Sequence, residues 1–162
     1  MKAKNNCIKI AMLVLVLVAA FATAAAQSQS PVRWRTFVKM TGPTEGTVTL
    51  RCLVAPGTHV YGMNIPEGGP KATSIDFSGS EGITFQGKAE AVPAAESVDD
   101  ALFGMKLEQW SSNFEVRRKF RLTGPADKAK LNVRIVYMSC DNQNCRPPKT
   151  ETITAKIPAY TK

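Results

Sequence analysis

Short segments of alternating apolar and polar residues, separated by glycine and proline, run through this chain from residue 32 onward. None of them has the sustained apolar period of 3.6 residues that marks a surface helix. Since such segments usually pair into two packed sheets, the pattern predicts an all-β fold, an immunoglobulin-like antiparallel β-sandwich. The predicted strands are residues 32–40, 47–54, 59–65, 72–77, 82–85, 105–110, 114–122, 131–139 and 150–157.

One segment does not fit the pattern of short strands. Residues 90–102 are acidic and rich in alanine, and we expect a long loop there with at most one helical turn. The segment leads into Leu102, Phe103 and Gly104, where two large apolar side chains precede a glycine. Long loops on a rigid sandwich often carry function, so this loop is a candidate part of a site.

The first 26 residues are typical of a secretory signal peptide. Lys2, Lys4 and Lys9 form a basic start, residues 10–22 are apolar, and alanines at 24–26 allow cleavage near Ala26. The apolar run is shorter than the roughly 20 residues of a membrane span. We therefore expect an exported protein with no stable membrane insertion after cleavage, whose single domain occupies residues 27–162.

Charge excludes one class of function. After cleavage, 18 basic residues would remain against 13 acidic ones. In the sequence the basic residues are spread along the predicted strands, and no basic run with interleaved aromatic residues occurs. This argues against nucleic-acid binding and leaves only a weak preference for acidic partners.

Three cysteines would remain after cleavage. Cys140 and Cys145 are separated by four residues, and in an oxidising compartment so close a pair should form a disulfide. Cys52 lies on the apolar side of the predicted strand 47–54, so we interpret it as a buried, unreactive thiol.

The close cysteine pair has two main interpretations. It follows the predicted strand 131–139 and precedes Pro147 and Pro148, which stiffen the connection to the next strand. As a staple, a disulfide that closes so small a loop would contribute only about 2 kcal/mol in the chain-entropy description. The polar, accessible placement also suits thiol–disulfide exchange, in which the adjacent Arg146 would favour a thiolate. The residues alone leave staple and exchange open.

A metal site is a third interpretation of the pair. His59, Met63 or Met138 would have to complete the ligand set, because no second Cys or His pair is present. This spacing lacks the pattern of a structural zinc site, and methionines of this kind usually fill cores. We therefore expect no metal and no cofactor.

Several motifs, in order, resemble the amino-terminal periplasmic domain of the thiol–disulfide reductase DsbD. They are Pro-Val-Arg-Trp at 31–34, Ala-Pro-Gly-Thr-His-Val-Tyr at 55–61, Glu-Gly-Gly-Pro at 67–70, Leu-Phe-Gly at 102–104 and Tyr-Met-Ser-Cys-Asp-Asn-Gln-Asn-Cys-Arg-Pro-Pro at 137–148. The likeness covers nearly all of residues 31–158, and the cysteine motif is its most specific part.

The resemblance implies a function and a set of roles. The family domain is an immunoglobulin-like, periplasmic module that takes electrons from a thioredoxin-like domain, supplied through a membrane-embedded partner. It passes them to periplasmic acceptors such as disulfide isomerases or cytochrome c biogenesis factors. By position, Cys145 would form mixed disulfides and Cys140 would resolve them. Leu102 and Phe103 fall on the family's cap loop, and Tyr61 falls near a tyrosine that lines its site.

This sequence departs from the family pattern in three ways. The best-known member has five residues between its cysteines, and here there are four. The cap reads Asp-Ala-Leu-Phe-Gly at 100–104, which leaves open whether Leu102 or Phe103 shields the cysteines. The chain ends after the domain, so we expect either that another protein supplies the electrons or that the family role has been lost. We expect a monomer; the alternative function is a secreted immunoglobulin-like binding or assembly module with a passive disulfide.

Overall fold

A computed structural model describes residues 30–141 and 143–161, so the predicted signal peptide at 1–26 lies outside the described residues. Eleven strands and one short 3-10 turn, Ala126–Lys128, are assigned within them, and no α-helix. The strands are β1 (Val32–Met40), β2 (Glu45–Val54), β3 (His59–Tyr61), β4 (Ser74–Asp76), β5 (Ile83–Val92), β6 (Glu96–Asp100), β7 (Met105–Trp110), β8 (Phe114–Leu122), β9 (Lys130–Tyr137), β10 (Ser139–Cys140) and β11 (Lys149–Lys156).

All strand pairings are antiparallel and form three sheets. Their orders are β1-β2-β8-β5, β10-β3-β7-β6 and β11-β9-β4. The predicted all-β, immunoglobulin-like antiparallel fold is therefore confirmed. No helix among the described residues is long and apolar enough to cross a membrane.

Alternating side chains build the main core. Within β1, β2, β8 and β9, buried residues occupy every second position, as expected for strands with one face inward. Trp110 stacks on Phe114 with ring centroids 4.0 Å apart, and Trp34 meets Phe114 edge-on at 5.4 Å. Cys52 lies opposite Trp34 and Phe114 in the strand register and is fully buried, as its position on the apolar side predicts.

The predicted long loop at residues 90–102 is wrong. β5 continues to Val92, and β6 forms a hairpin with β7 in which Val98 is opposite Leu107. The exposed residues of β6 are glutamate, serine and aspartate, so hydrophobic alternation is too weak to reveal the strand. Backbone hydrogen bonds to β7 hold this segment as a strand, although its composition does not indicate one.

The predicted strand at residues 59–65 is too long. It ends at Tyr61, after which the Gly62 amide donates to the Glu108 carbonyl at 2.6 Å. A Cβ on Gly62 would lie 2.5 Å from the Glu108 Cβ, so only glycine allows this approach to β7. The chain then turns away through the segment with Pro66.

A small second group of apolar residues lies on the sheet β10-β3-β7-β6, apart from the main core. Its buried members are Tyr61, Leu107 and Cys140. We call this group, with the partly buried residues packed against it, the satellite cluster; those residues are Ile65, Phe103, Met105, Met138 and Cys145. The satellite cluster therefore brings the cysteine pair together with a residue from the predicted cap.

Candidate functional site

Cys140 and Cys145 form a disulfide at the edge of the sheet β10-β3-β7-β6, with their Cα atoms 4.1 Å apart. The two cysteines differ in exposure. Cys140 pairs with His59 of β3 and is only 1% exposed, whereas Cys145 follows a turn and is half-buried. Cys145 is therefore the more accessible residue of the pair.

A hydrogen-bonded turn joins the two cysteines. The Asp141 carboxylate accepts the backbone N–H groups of Gln143 and Asn144 at 2.9 and 2.8 Å. These two bonds, followed by the charge of Arg146, hold the pKa of Asp141 below its usual range. The Asp141 amide donates to the Asn144 carbonyl, and the Arg146 amide donates to the Ser139 carbonyl. The turn therefore fixes Cys145 against β10.

Tyr61 connects the disulfide to the strand β6. Its hydroxyl donates a hydrogen bond to Asp100 Oδ2 at 2.9 Å and lies 3.9 Å from the Cys145 sulfur. Burial, and then the hydrogen bond and the negative charge of Asp100, raise the pKa of Tyr61. Tyr61 therefore remains a neutral phenol beside the sulfur at physiological pH.

Asp100 also organises the turn at residues 100–104. Its Oδ1 accepts the backbone N–H groups of Leu102 and Phe103 at 2.8 and 3.0 Å, and its carbonyl accepts the Gly104 N–H at 2.8 Å. Gly104 has φ of 63°, a conformation that glycine adopts without strain. One buried carboxylate thus holds both Tyr61 and this turn.

Of the two apolar residues in the turn, Phe103 is the one packed at the site. Its ring meets the Tyr61 ring edge-on, with centroids 5.7 Å apart and planes at 88°, and it belongs to the satellite cluster with both cysteines. Leu102 is 44% exposed and lines a surface depression with His59, Asp100 and Asp141. Phe103 therefore packs in the same cluster as the cysteines, while Leu102 is largely exposed.

His59 is a residue whose place the sequence did not reveal. Its ring contacts the Tyr61 ring, with centroids 5.0 Å apart, and its Nε2 lies 4.0 Å from Asp100 Oδ2. The Nε2 atom is buried and has no hydrogen-bond partner among the described residues. The available signal was that His59 and Tyr61 are two positions apart, which places both on one face of a strand.

His59 should make stability depend on pH. Burial lowers its pKa from the ordinary value of about 6.5, and the charges of Asp100 and Asp141 only partly oppose this. Because the folded pKa is the lower one, the unfolded chain binds the proton first as pH falls below about 6.5. Stability is then lost with falling pH until the folded pKa is passed.

We expect the variant His59→Gln to lose less unfolding free energy than the unmodified protein between pH 7.5 and 5.0. Urea unfolding at both pH values measures the difference. Comparing the two proteins cancels the contribution of the carboxylates, which titrate in both. Equal losses of unfolding free energy in the two proteins would contradict the assignment of this pH dependence to His59.

The remaining residues named from the sequence lie beside the cysteine pair or apart from it. Arg146 is exposed beside Cys145, and Met63 packs at the edge of the main core while Met138 belongs to the satellite cluster. Burial raises the pKa of the Cys52 thiol, which keeps it protonated. Within residues 30–141 and 143–161, no three His, Cys, Asp or Glu side chains are grouped as metal ligands.

A sequence profile described as "Thiol:disulfide interchange protein DsbD, N-terminal" matches residues 27–157. The chain belongs to this family. The match spans the strands, the turn at residues 100–104 and both site cysteines. A search of curated protein sequences found no match.

One solved structure supports the fold. The N-terminal periplasmic domain of ScsB from Proteus mirabilis matches with a TM-score of 0.55 and 17% identity, over 82% of this chain and 49% of that chain. This chain thus spans about half of the ScsB structure. The GAE domain of GGA2p from Saccharomyces cerevisiae matches at 9% identity over 82% of this chain and 96% of that chain. Its TM-score of 0.46 is too low to support a conclusion about the fold.

Proposed function

We propose that this member of the DsbD amino-terminal family is a thiol–disulfide exchange module that relays electrons between thioredoxin-like proteins through Cys140 and Cys145. The observation that carries the proposal is the asymmetry of the disulfide. Cys140 is sealed in the sheet, whereas Cys145 is half-buried and packs in the satellite cluster together with Phe103, an aromatic residue on a separate turn. A passive staple has no need of such a separable cover.

Reduction of the module consumes one dithiol. A donor thiolate attacks the Cys145 sulfur, the Cys140–Cys145 bond breaks, and Cys140 leaves as a thiolate. The donor's second thiolate then attacks the donor sulfur of the mixed disulfide, which releases Cys145 as a thiolate. The donor is oxidised to a disulfide and the module has gained two electrons.

Delivery of the electrons reverses these roles. The Cys145 thiolate attacks an acceptor disulfide and forms a mixed disulfide, and one acceptor thiolate leaves. Cys140 then attacks the Cys145 sulfur, which restores the Cys140–Cys145 bond and releases the second acceptor thiolate. The positive charge of Arg146 would favour the attacking thiolate.

The turn at residues 100–104 would control access to these steps. Phe103 packs against Tyr61 in the satellite cluster, and it would exclude water and small oxidants from the sulfurs while the turn is closed. A partner must displace Phe103 to reach Cys145. Asp100 restores the closed turn afterwards, because its three hydrogen bonds to residues 102–104 form within the turn itself.

The family and the N-terminal sequence support a location and partners. The protein would be exported to the periplasm by the signal peptide at residues 1–26 and would act there as a monomer. Its electrons would come from a membrane-embedded donor through a thioredoxin-like domain. Its acceptors would be thioredoxin-like proteins, including those of disulfide isomerisation and cytochrome c biogenesis.

The relay is tested by its redox equilibrium. Incubation of the oxidised protein with a reduced thioredoxin should yield the free thiols of Cys140 and Cys145, and the reduced protein should then reduce a more oxidising thioredoxin-like disulfide. We expect a reduction potential between about −270 and −120 mV, the range of thioredoxin-like proteins. A potential below about −300 mV, with no reduction by thioredoxin, would support the passive binding module instead.

A further inference from the structure

The outer face of the sheet β1-β2-β8-β5 collects basic side chains that are dispersed in the sequence. Strand alternation points every second residue of β1, β2 and β8 away from the core. We call this surface the basic face. Its charged positions are Arg33, Arg35, Lys39, Glu45, Arg51, Glu90, Glu115, Arg117, Lys119 and Arg121.

The strand register brings these positions together. Arg35 is opposite Arg51, which is opposite Glu115 on the next strand. Two rows further along, Lys39 is opposite Thr47, which is opposite Lys119. Residues that are directly opposite in antiparallel strands share a face and lie about 5 Å apart. The fold therefore builds a continuous positive surface from residues as distant in sequence as 33 and 121.

The net charge of the described residues lies on this face. It carries seven cations and three carboxylates, while the rest of the described chain carries ten of each. Two of the three carboxylates form ion pairs within the face: Glu115 with Arg51 and Arg117, and Glu45 with Arg121. The other four cations of the face, Arg33, Arg35, Lys39 and Lys119, form no ion pair among the described residues. Their positive potential is therefore not reduced by a paired carboxylate.

An exposed aromatic ring stands within the positive surface. Phe37 of β1 is 47% exposed, and the Arg51 guanidinium lies over its ring at 5.1 Å. Its neighbours on the outer side of β1 are Arg35 and Lys39. A large apolar side chain surrounded by cations suits a binding surface whose outer layer is negatively charged and whose interior is apolar.

We propose that the basic face docks this protein onto an anionic phospholipid surface. The face is an open strand surface whose protruding groups are mostly long lysine and arginine side chains. Protein interfaces usually have an apolar centre and are depleted in lysine, so an acidic protein is the less suitable occupant. Lipid headgroups can arrange themselves around flexible cations without a fixed complementary shape. The disulfide lies on a different sheet, and the proposal does not depend on its chemistry.

Vesicle binding tests the proposal. The full chain is sedimented with vesicles of phosphatidylcholine containing about 30% phosphatidylglycerol, in the range typical of anionic membranes, and with pure phosphatidylcholine vesicles. The same chain is used throughout, so its apolar N-terminal segment contributes equally to every arm. We expect binding that depends on the anionic lipid and weakens as salt rises.

Two triple variants locate the binding surface. Arg33→Gln, Arg35→Gln and Lys39→Gln together remove three cations of the basic face, and each cation near a membrane is worth about fivefold in affinity, so we expect a loss of about 100-fold. Lys128→Gln, Lys130→Gln and Lys156→Gln remove the same charge from exposed positions elsewhere and should cost much less.

Three results would overturn the proposal. They are no binding to anionic vesicles by the full chain, equal losses in the two triple variants, and binding to soluble polyglutamate in preference to the vesicles. The last result would assign the face to an acidic polypeptide. Urea unfolding of both triple variants checks that any loss of binding is not a loss of fold.

Discussion

Replacing Cys145 by serine should abolish covalent capture of thioredoxin-like partners, whereas Cys140→Ser should make captured partners accumulate. In the second variant Cys145 still attacks a partner disulfide, but no resolving thiol remains to release the adduct. In the first variant the remaining thiol of the pair, Cys140, is 1% exposed within the sheet and cannot reach a partner. We expect at least a roughly 100-fold difference in adduct yield, because buried thiols are both inaccessible and poorly ionised.

Mass spectrometry of the protein incubated with an oxidised thioredoxin-like disulfide measures the adducts and identifies the linked cysteine. Cys52→Ser is the matched control, because Cys52 is a buried free cysteine whose pKa is raised. That variant should relay electrons as the unmodified protein does. Equal adduct yields from Cys140→Ser and Cys145→Ser would reject the assigned roles.

Replacing Asp100 by alanine should have the second large effect, on stability and on access to the disulfide together. The substitution leaves the buried Tyr61 hydroxyl and the N–H groups of Leu102 and Phe103 without their acceptor. Loss of hydrogen bonds to a buried charged group costs about 3 kcal/mol in total. Because the turn that carries Phe103 loses its anchor, reduction of the disulfide by dithiothreitol should become about tenfold faster, the equivalent of about 1.4 kcal/mol of lost closure.

The adjacent Asp99 provides the control for Asp100. It lies on the same strand and carries the same charge, but it is exposed. Asp99→Ala should therefore leave both unfolding free energy and reduction rate within a small margin of the unmodified protein. The anchoring role of Asp100 would be wrong if the two alanine variants were reduced at the same rate, whatever their stabilities.

The sequence predicts a strand well where one side of the strand is buried and the other is exposed to solvent. The strands around Trp34, Cys52 and Phe114 follow that rule and are found as expected. β6 was missed because it is an edge strand whose side chains are mostly polar, so periodicity carries almost no information there. Its pairing is set by β7 and not by its own composition, which is a property of the assembled sheet.

The site was predictable in part. The cysteine motif indicates a close disulfide pair, and the structure contains it. Family resemblance places Tyr61, Leu102 and Phe103 near it, but only the geometry separates the packed Phe103 from the exposed Leu102. Asp100 meets Tyr61 through a side-chain contact between β6 and β3, strands that are not neighbours in the sheet and lie far apart in sequence. No local spacing encodes such a meeting.

The basic face is a second feature that the sequence alone does not predict. Along the chain, the basic residues of β1, β2 and β8 look scattered, because alternation inserts an apolar residue between them. Only the register, which sets Arg35 against Arg51 and Thr47 against Lys119, turns three dispersed patterns into one surface. Patch formation on a sheet is thus a question of strand order, which local sequence does not determine.

The separation of the satellite cluster from the main core has an energetic consequence. Apolar contacts around Trp34, Trp110 and Phe114 do not depend on Phe103 or Cys145, so the region around the disulfide can open as its own cooperative unit. Each encounter with a partner would then cost only the local free energy of that unit, and the global free energy of unfolding would be untouched. A protein built this way can expose a reactive sulfur many times without approaching denaturation.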